Sequence, residues 1–500
     1  MSKDILINVE AGEVRVAVVV GRKLNDFFVE RRDVQQLVGN IYKGKVTALV
    51  PGIGAAFVDI GLEKNGFLYV ADVVEPPLDL EEEFLTEEEN EKHFSRGKYS
   101  IEEKLKINEE VIVQVVKEPF GKKGPRLTTH ISLPGKHLVL MPNDPRIGIS
   151  RRITDRKERE RIRAILKKLK LPPGIGIIAR TAGEKAEERE FQRDMHYLLR
   201  NWERISRLSR RVKAPYLLHE ESDLVIRILR DFFTEEIDNV FIDSKEEYRK
   251  ALHFINYFSP QLRKRIRLYQ EETPLFTKMG IDKEIESLYK RIVQLRSGGY
   301  IVIEQTESLV SIDVNSGKFT GKPGKGKTLE ETAFIVNKEA AEEIARQIRL
   351  RNLGGIIIID FIDMVIPEHR EKVFHTLKEA LKEDKAKIKL YPFSQFGLIE
   401  MTRERRRISI ESVFYEKCPY CQGLGHVKSL TTLANEALRK LRKFLLEQRK
   451  RKITLLVHPA LEKKLSREYM HFIRNIAKKY RSNIEVKSDY NLHIEEITIS

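Results

Sequence analysis

Apolar and polar residues alternate over residues 1–35, beginning "MSKDILINVEAGEVRVAVVV", which predicts strands. From 40 to 73, "NIYKGKVTALVPGIGAAFVDIGLEKNGFLYVADV" reads as short strands broken by Gly and Pro, the pattern of a small barrel. "VIVQVVKE" (111–118) returns to strand. A basic helix is predicted over 157–173, stopped by Pro-Pro, followed by a strand at 174–181 and a long helix at 184–212. A strand–helix region covers 215–287. Strands at 298–316, a helix at 329–351, a strand at 354–364 and a helix at 367–384 complete an α/β pattern. A last small α/β unit opens with the basic helix 435–452. No fixed-period repeat is present, and 500 residues are too many for one core.

The α/β stretch carries the first candidate chemistry. In a strand, positions i and i+2 share a face, so Ser311, Asp313 and Asn315 point one way and Ile312 and Val314 into the core. The following helix places Ala333, Val336, Ala340, Ala341, Ile344 and Ile348 on one stripe, and Gly354 and Gly355 are expected to end it. The chain then enters "IIII", apolar on both faces, and closes on Asp360. A right-handed crossover lays this strand near 309–315, with both acidic tips at the carboxyl ends of the sheet. Two close carboxylates suit a magnesium ion, which orients or activates water and stabilises a pentacovalent phosphate. Asn315 would then hold Asp313 in its binding rotamer. "DVNSG" is equally good chemistry for a plain Asx turn.

Other patterns compete or add. Gly321, Gly326, Lys327 and Thr328 match the phosphate-loop spacing, which keeps an RNA-dependent NTPase in play. Against it, "SGKFT" separates Val314 from Gly321, whereas that motif leaves its strand directly. In the barrel, Ala56, Val58, Ile60, Leu68 and Val70 alternate inward, so Phe57, Phe67 and Tyr69 face outward. Such rings stack single-stranded bases at about 1–3 kcal/mol each, unless another domain covers them. Lys43, Lys45 and Lys64 are near in sequence and available to phosphates. "CPYC" offers Cys418 and Cys421, half of a tetrahedral zinc site. A second chain completes it, or His426 contributes, or the turn merely holds free thiols.

Charge changes the picture most. Lys and Arg total 91 against 75 Asp and Glu, a net charge of +16, which points to a polyanion such as nucleic acid. A non-catalytic RNA-binding scaffold fits that charge as well. The acidic stretch 78–94 is expected to be a mobile insertion. Two cysteines give no disulfide framework, and no run of eighteen apolar residues spans a membrane, so a reducing cytoplasm is the simplest setting.

Ordered blocks along nearly the whole chain resemble the RNase E/G family of endoribonucleases. They include "NIYKGKV", "AAFVDIG", "LTTHISLPGKHLVLMPN", "GISRRI", "IARTAGE", "SIDVNSG", "FGLIEMTRERRR" and "CPYCQGLG". The resemblance implies a multidomain α/β protein. Its expected parts are an RNase H-like region in two segments (1–35 and 215–288), an OB-fold barrel (36–127, acidic insertion at about 78–106) and a 5′-phosphate sensor region (128–214). A DNase I-like catalytic region (289–414), a zinc-link (415–428) and a small C-terminal α/β domain (429–500) follow. It also implies that Asp313 and Asp360 hold catalytic magnesium with Asn315 orienting Asp313, and that Phe57 and Phe67 bind RNA. Arg180 and Thr181, with backbone near Gly124, match the 5′-phosphate sensor. The implied activity is cleavage of single-stranded, A/U-rich RNA with 5′-monophosphorylated ends, giving 5′-phosphate and 3′-hydroxyl products. The implied roles are rRNA and tRNA processing and mRNA decay. Zinc on Cys418 and Cys421 would join two chains, and two such dimers a tetramer. Ending at Ser500, the chain looks like the compact G type or a free-standing catalytic half.

Overall fold

The computed structural model describes the chain except residues 1, 32, 34–35, 75–99, 120–122, 307, 318–327, 405–408 and 449. The acidic stretch 78–94 and the loop residues Gly321, Gly326 and Lys327 therefore lie outside the described residues. The chain divides into two units, Met1–Val413 and Phe414–Ser500.

Among the described residues, the larger unit contains four sheets. Strands Lys3–Val9, Glu13–Val20 and Lys23–Arg31 join Asn239–Ile242 and Ile266–Leu268 in one five-stranded sheet. Lys3–Val9 runs parallel to Asn239–Ile242, so segments far apart in sequence share one core. Ile41–Val50, Ala55–Asp59, Gly66–Tyr69, Arg126–Thr128 and Glu110–Lys117 form a ring of five strands, closed by the pairing of the first with the last. Alternation fills it: Val46, Ala56, Val58, Leu68, Val113 and Leu127 are buried inside. This closed five-stranded barrel is OB-like. A third sheet of Leu133–Pro134, Leu138–Pro142, Asp144–Ile149 and Ile175–Ala179 packs with helices Arg156–Lys168 and Glu188–Ser209.

The fourth sheet has six strands in the order Ile292–Gln294, Tyr300–Gln305, Leu309–Asn315, Gly355–Asp360, Leu398–Arg403, Ile388–Leu390. Helices Leu329–Leu350 and Pro367–Leu381 supply buried residues to the same core as its inward positions. Ala340 and Ala341 are small enough to let Leu329–Leu350 lie close to the strands, and the whole expected stripe from Ala333 to Ile348 is buried.

Two expectations need correction. The helix ends before the glycines: Arg351 caps it and Asn352 turns left-handed (φ 50°), a conformation Asn tolerates. The "IIII" strand is central but not covered on both sides. Ile357 and Ile359 are fully buried, whereas Ile356 is 51% exposed, because the helices cover one face only.

The smaller unit stacks helices Leu430–Gln448, Pro459–Lys464 and Met470–Tyr480 on a three-stranded sheet of Asn483–Ser488, Lys452–Val457 and Ile497–Ile499.

The one-sided sheet makes a stability prediction. Ile359→Ala should cost about 2–5 kcal/mol through a core cavity. Ile356→Ala should change stability by less than about 1 kcal/mol. Calorimetric unfolding of the two variants checks the contrast.

Candidate active site

The open face of the six-stranded sheet carries the acidic pair. Leu309–Asn315 and Gly355–Asp360 are adjacent and parallel, and Asp313 is the register partner of Asp360. Partners in a parallel pair project from the same face, with strands about 4.8 Å apart. Both side chains are exposed, while Ile312, Val314 and Ile359 point into the core. Val302 and Leu398 flank the pair in the next strands. Asn315 Nδ2 donates to Asp313 Oδ2 at 2.7 Å, which fixes that carboxylate from two residues away.

Partial burial, then the charges of Asp313 and Asp363, push the Asp360 carboxyl above its ordinary range. Asp363, whose charge reaches Asp360, is a neighbour of the pair that sequence reasoning missed. Its loop is pinned from the core: buried Asn337 donates to Ile362 O at 2.7 Å and accepts from Ile362 N at 3.0 Å. Glu330 accepts from the amides of Val365 and Ile366 at 2.8 and 3.2 Å. An asparagine on the mostly apolar buried stripe of that helix was the available signal. Among the described residues, no group of three or more His, Cys, Asp and Glu side chains gathers as a metal cage. Two carboxylates are still a sufficient protein share for magnesium, which keeps much of its water and takes phosphate oxygens.

The phosphate-loop reading loses ground here. The strand ends at Asn315, well before Gly321, and Thr328 already has a task. Its hydroxyl accepts from Glu331 N at 3.2 Å, and Glu331 returns a bond to Thr328 N, a capping box for the helix.

On the barrel, Phe57 and Phe67 are cross-strand partners with ring centroids 6.0 Å apart, edge to face. Both are part-exposed, and Tyr69 is 40% exposed. Lys45 lies opposite Asp59 in register. Lys43 is not available to a ligand: its ammonium bonds Glu110 at 2.7 Å and Val212 O at 2.9 Å. Its nearness in sequence to the rings could not show that distant partners take its charge.

Arg180 and Thr181 open a short turn after strand Ile175–Ala179, beside a cavity of about 950 Å³. Arg180 donates to Gly135 O at 2.5 Å and to Asp231 Oδ1 at 2.6 Å; Thr181 Oγ1 is 3.2 Å from Ser150 Oγ. The backbone beside Arg180 is thus that of Gly135, not Gly124. Gly124 sits in the barrel, where an added Cβ would collide with Asn65 O. Buried Asp194 shapes the Gly135 loop by accepting from the amides of Lys136, His137 and Leu138. A Cβ at position 135 would strike that carboxylate, so glycine is needed there. Burial opposes the Asp231 charge, but Arg180 and Arg230 outweigh it and hold the carboxyl below its usual range. Lys385 reaches the same corner, donating to Asp231 O at 3.0 Å, and burial pulls its ammonium down to about 8. None of Asp194, Asp231 and Lys385 carries a local motif.

In the smaller unit, Cys421 Sγ accepts from Gly425 N at 3.3 Å. The Gly425 and Gly423 amides, with Cys418 nearby, lower the Cys421 thiol below its ordinary range. Amides aimed at sulfur favour the thiolate that zinc requires. His426 is exposed.

Comparison with known proteins shows the family of the chain. Residues 132–406 match the ribonuclease E/G family, and residues 417–500 match its thioredoxin-like domain. Ribonuclease G of Escherichia coli (strain K12) is 41% identical over 441 residues, covering 88% of each chain. Ribonuclease G of Haemophilus influenzae is 42% identical over 442 residues, 88% of this chain and 87% of the relative. Ribonuclease E of the same organism is 41% identical over 486 residues, 97% of this chain but only 50% of that longer protein. Matched over residues 132–406, and through most of its length at this identity, the chain belongs to the ribonuclease E/G family.

Proposed function

We propose that the protein is a magnesium-dependent endoribonuclease that cleaves single-stranded, A/U-rich RNA and prefers 5′-monophosphorylated ends. Relatives named ribonuclease G and ribonuclease E support the reaction class. The observation that carries the mechanism is the in-register pair Asp313 and Asp360 on an open sheet face. Two carboxylates side by side, with a third nearby and the Asp360 proton held too tightly for an isolated acid, are a donor set for a hard divalent ion. Magnesium bound there supplies Lewis acidity toward the phosphodiester and acidifies water at neutral pH.

The chain's own residues do the rest. Asn315 restricts Asp313 to one rotamer. The uncovered face lets an extended strand lie across the carboxylates. Phe57, Phe67 and Tyr69 stack bases on the barrel, with Lys45 toward the phosphates. Arg180 and Thr181, backed by the Gly135 loop, take the 5′-phosphate, and Asp231 holds the guanidinium aimed at the cavity until that phosphate competes for it. Cys418 and Cys421 give half of a zinc site shared with a second copy, the link in a dimer of dimers. The proposal includes the regional assignments: RNase H-like for 1–35 with 215–288, sensor for 128–214, DNase I-like for 289–414. It also places the enzyme in cytoplasmic rRNA and tRNA processing and mRNA decay.

A 5′-monophosphorylated, A/U-rich oligonucleotide should be cut only with magnesium and without ATP. Asp313→Asn and Asp360→Asn should each lower the rate by about a thousandfold, the scale of losing a principal transition-state contact. Asn315→Ala should lose less, because it frees a ligand without removing one. Retained cleavage in either aspartate variant would sink the mechanism. The raised Asp360 pKa makes protons compete with the metal. The magnesium concentration for half-maximal rate should therefore rise as pH falls toward that pKa. Arg180→Gln should bring the rate ratio of 5′-monophosphate to 5′-hydroxyl substrates toward one while sparing the slower, 5′-hydroxyl reaction. Cys418→Ser should halve the particle mass on gel filtration and release zinc; an unchanged mass and metal content would refute the shared site.

A further inference from the structure

Beyond the acidic pair, one side chain at the rim of the catalytic sheet has no structural explanation. Phe396 is 88% exposed, in the turn that enters strand Leu398–Arg403. Leu398, two residues on, is the direct register partner of Asp360. The turn therefore lies at the end of the sheet where Asp360 closes its strand.

The turn is well fixed. Ser394 N donates to Leu398 O at 2.8 Å, Gly397 N to Ser394 O at 3.0 Å, and Leu398 N to Ser394 Oγ at 3.3 Å. Gly397 adopts φ 80°, which lets the chain reverse. Phe393 packs on the sheet's core, with its ring 5.9 Å from that of Phe361, the residue after Asp360. Two phenylalanines three positions apart thus have different situations. Phe393 ties the turn to the segment carrying Asp360, and Phe396 stands in water. A phenyl ring held outward on a fixed turn loses hydrophobic burial and gains no packing. It offers instead a preorganised flat surface next to the acidic pair.

Resting on the ribonuclease reading, we propose that Phe396 stacks against an unpaired base flanking the scissile phosphate and so helps choose the cut site. An unpaired base is the occupant that the site's chemistry favours. The phosphate it adjoins would be drawn to the metal pair, and every base presents a π-face. This contact is separate from the barrel rings, which lie on another sheet.

The test uses the full chain and a 5′-monophosphorylated, A/U-rich oligonucleotide with one main cut site. Phe396→Ala should lower kcat/KM by about tenfold. It should also spread cleavage to neighbouring positions and leave the thermal midpoint and the 5′-monophosphate to 5′-hydroxyl rate ratio unchanged. Phe396→Trp should keep the parent's behaviour, and Phe396→Leu, apolar but without a π-face, should behave like Phe396→Ala. Removing the base next to the cut site should slow the parent by the same factor and slow Phe396→Ala no further. Parent-like kinetics and cut pattern in Phe396→Ala or Phe396→Leu would overturn the stacking role alone. A change in particle mass with unaltered kinetics would overturn it too, assigning the ring to contact between copies. A parent chain that does not cut RNA would overturn it together with the ribonuclease reading.

Discussion

Strand pairing sets the distance between Asp313 and Asp360. Parallel register fixes two carboxylates at neighbouring positions on one face, and neither can swing far while the sheet holds. Their repulsion is visible in the Asp360 carboxyl, and burial of the sheet's opposite face resists it. Val310, Ile312, Val314, Ile357 and Ile359 are all buried against the two helices, so separating the strands would expose that core. Hydrophobic packing on one side thus holds an unfavourable electrostatic pair on the other.

Much of this pair was legible in the sequence because its logic is local. Period-two alternation assigned Asp313 and Asn315 to one face. The crossover rule brought the second strand beside the first. The apolar stripe of the intervening helix was complete from Ala333 to Ile348. What escaped depends on neighbours distant in sequence. Lys43 is near the rings in sequence but is claimed by Glu110 and Val212. Gly135 meets Arg180 only after the third sheet forms, and Asp231 reaches it from a helix 51 residues on. The two faces of "IIII" look alike in sequence, and only the helices' placement distinguishes Ile356 from Ile357.

Composition was informative about the partner but not about the place. The net charge of +16 suggests a polyanion, yet the open face of the six-stranded sheet carries the carboxylates Asp313 and Asp360 side by side. Within the smaller unit, Phe414–Ser500, 18 Lys and Arg stand against 9 Asp and Glu, so much of the excess lies outside the six-stranded sheet. A whole-chain charge is an average and does not show where on the surface a polyanion would bind.

The acidic pair constrains the proposed chemistry. An RNA backbone approaching two adjacent carboxylates meets repulsion, which a divalent ion would have to cancel before any phosphate settles. In the proposed reading, most of the substrate capture therefore falls to groups away from the pair: the barrel rings, which would bind bases without regard to charge, and the Arg180 guanidinium, which would take a terminal phosphate. Most of the binding and the cleavage would then be carried by different sheets. Loss of the metal should abolish cutting while leaving most of the affinity in place, whereas loss of the barrel rings should weaken affinity without changing the metal requirement.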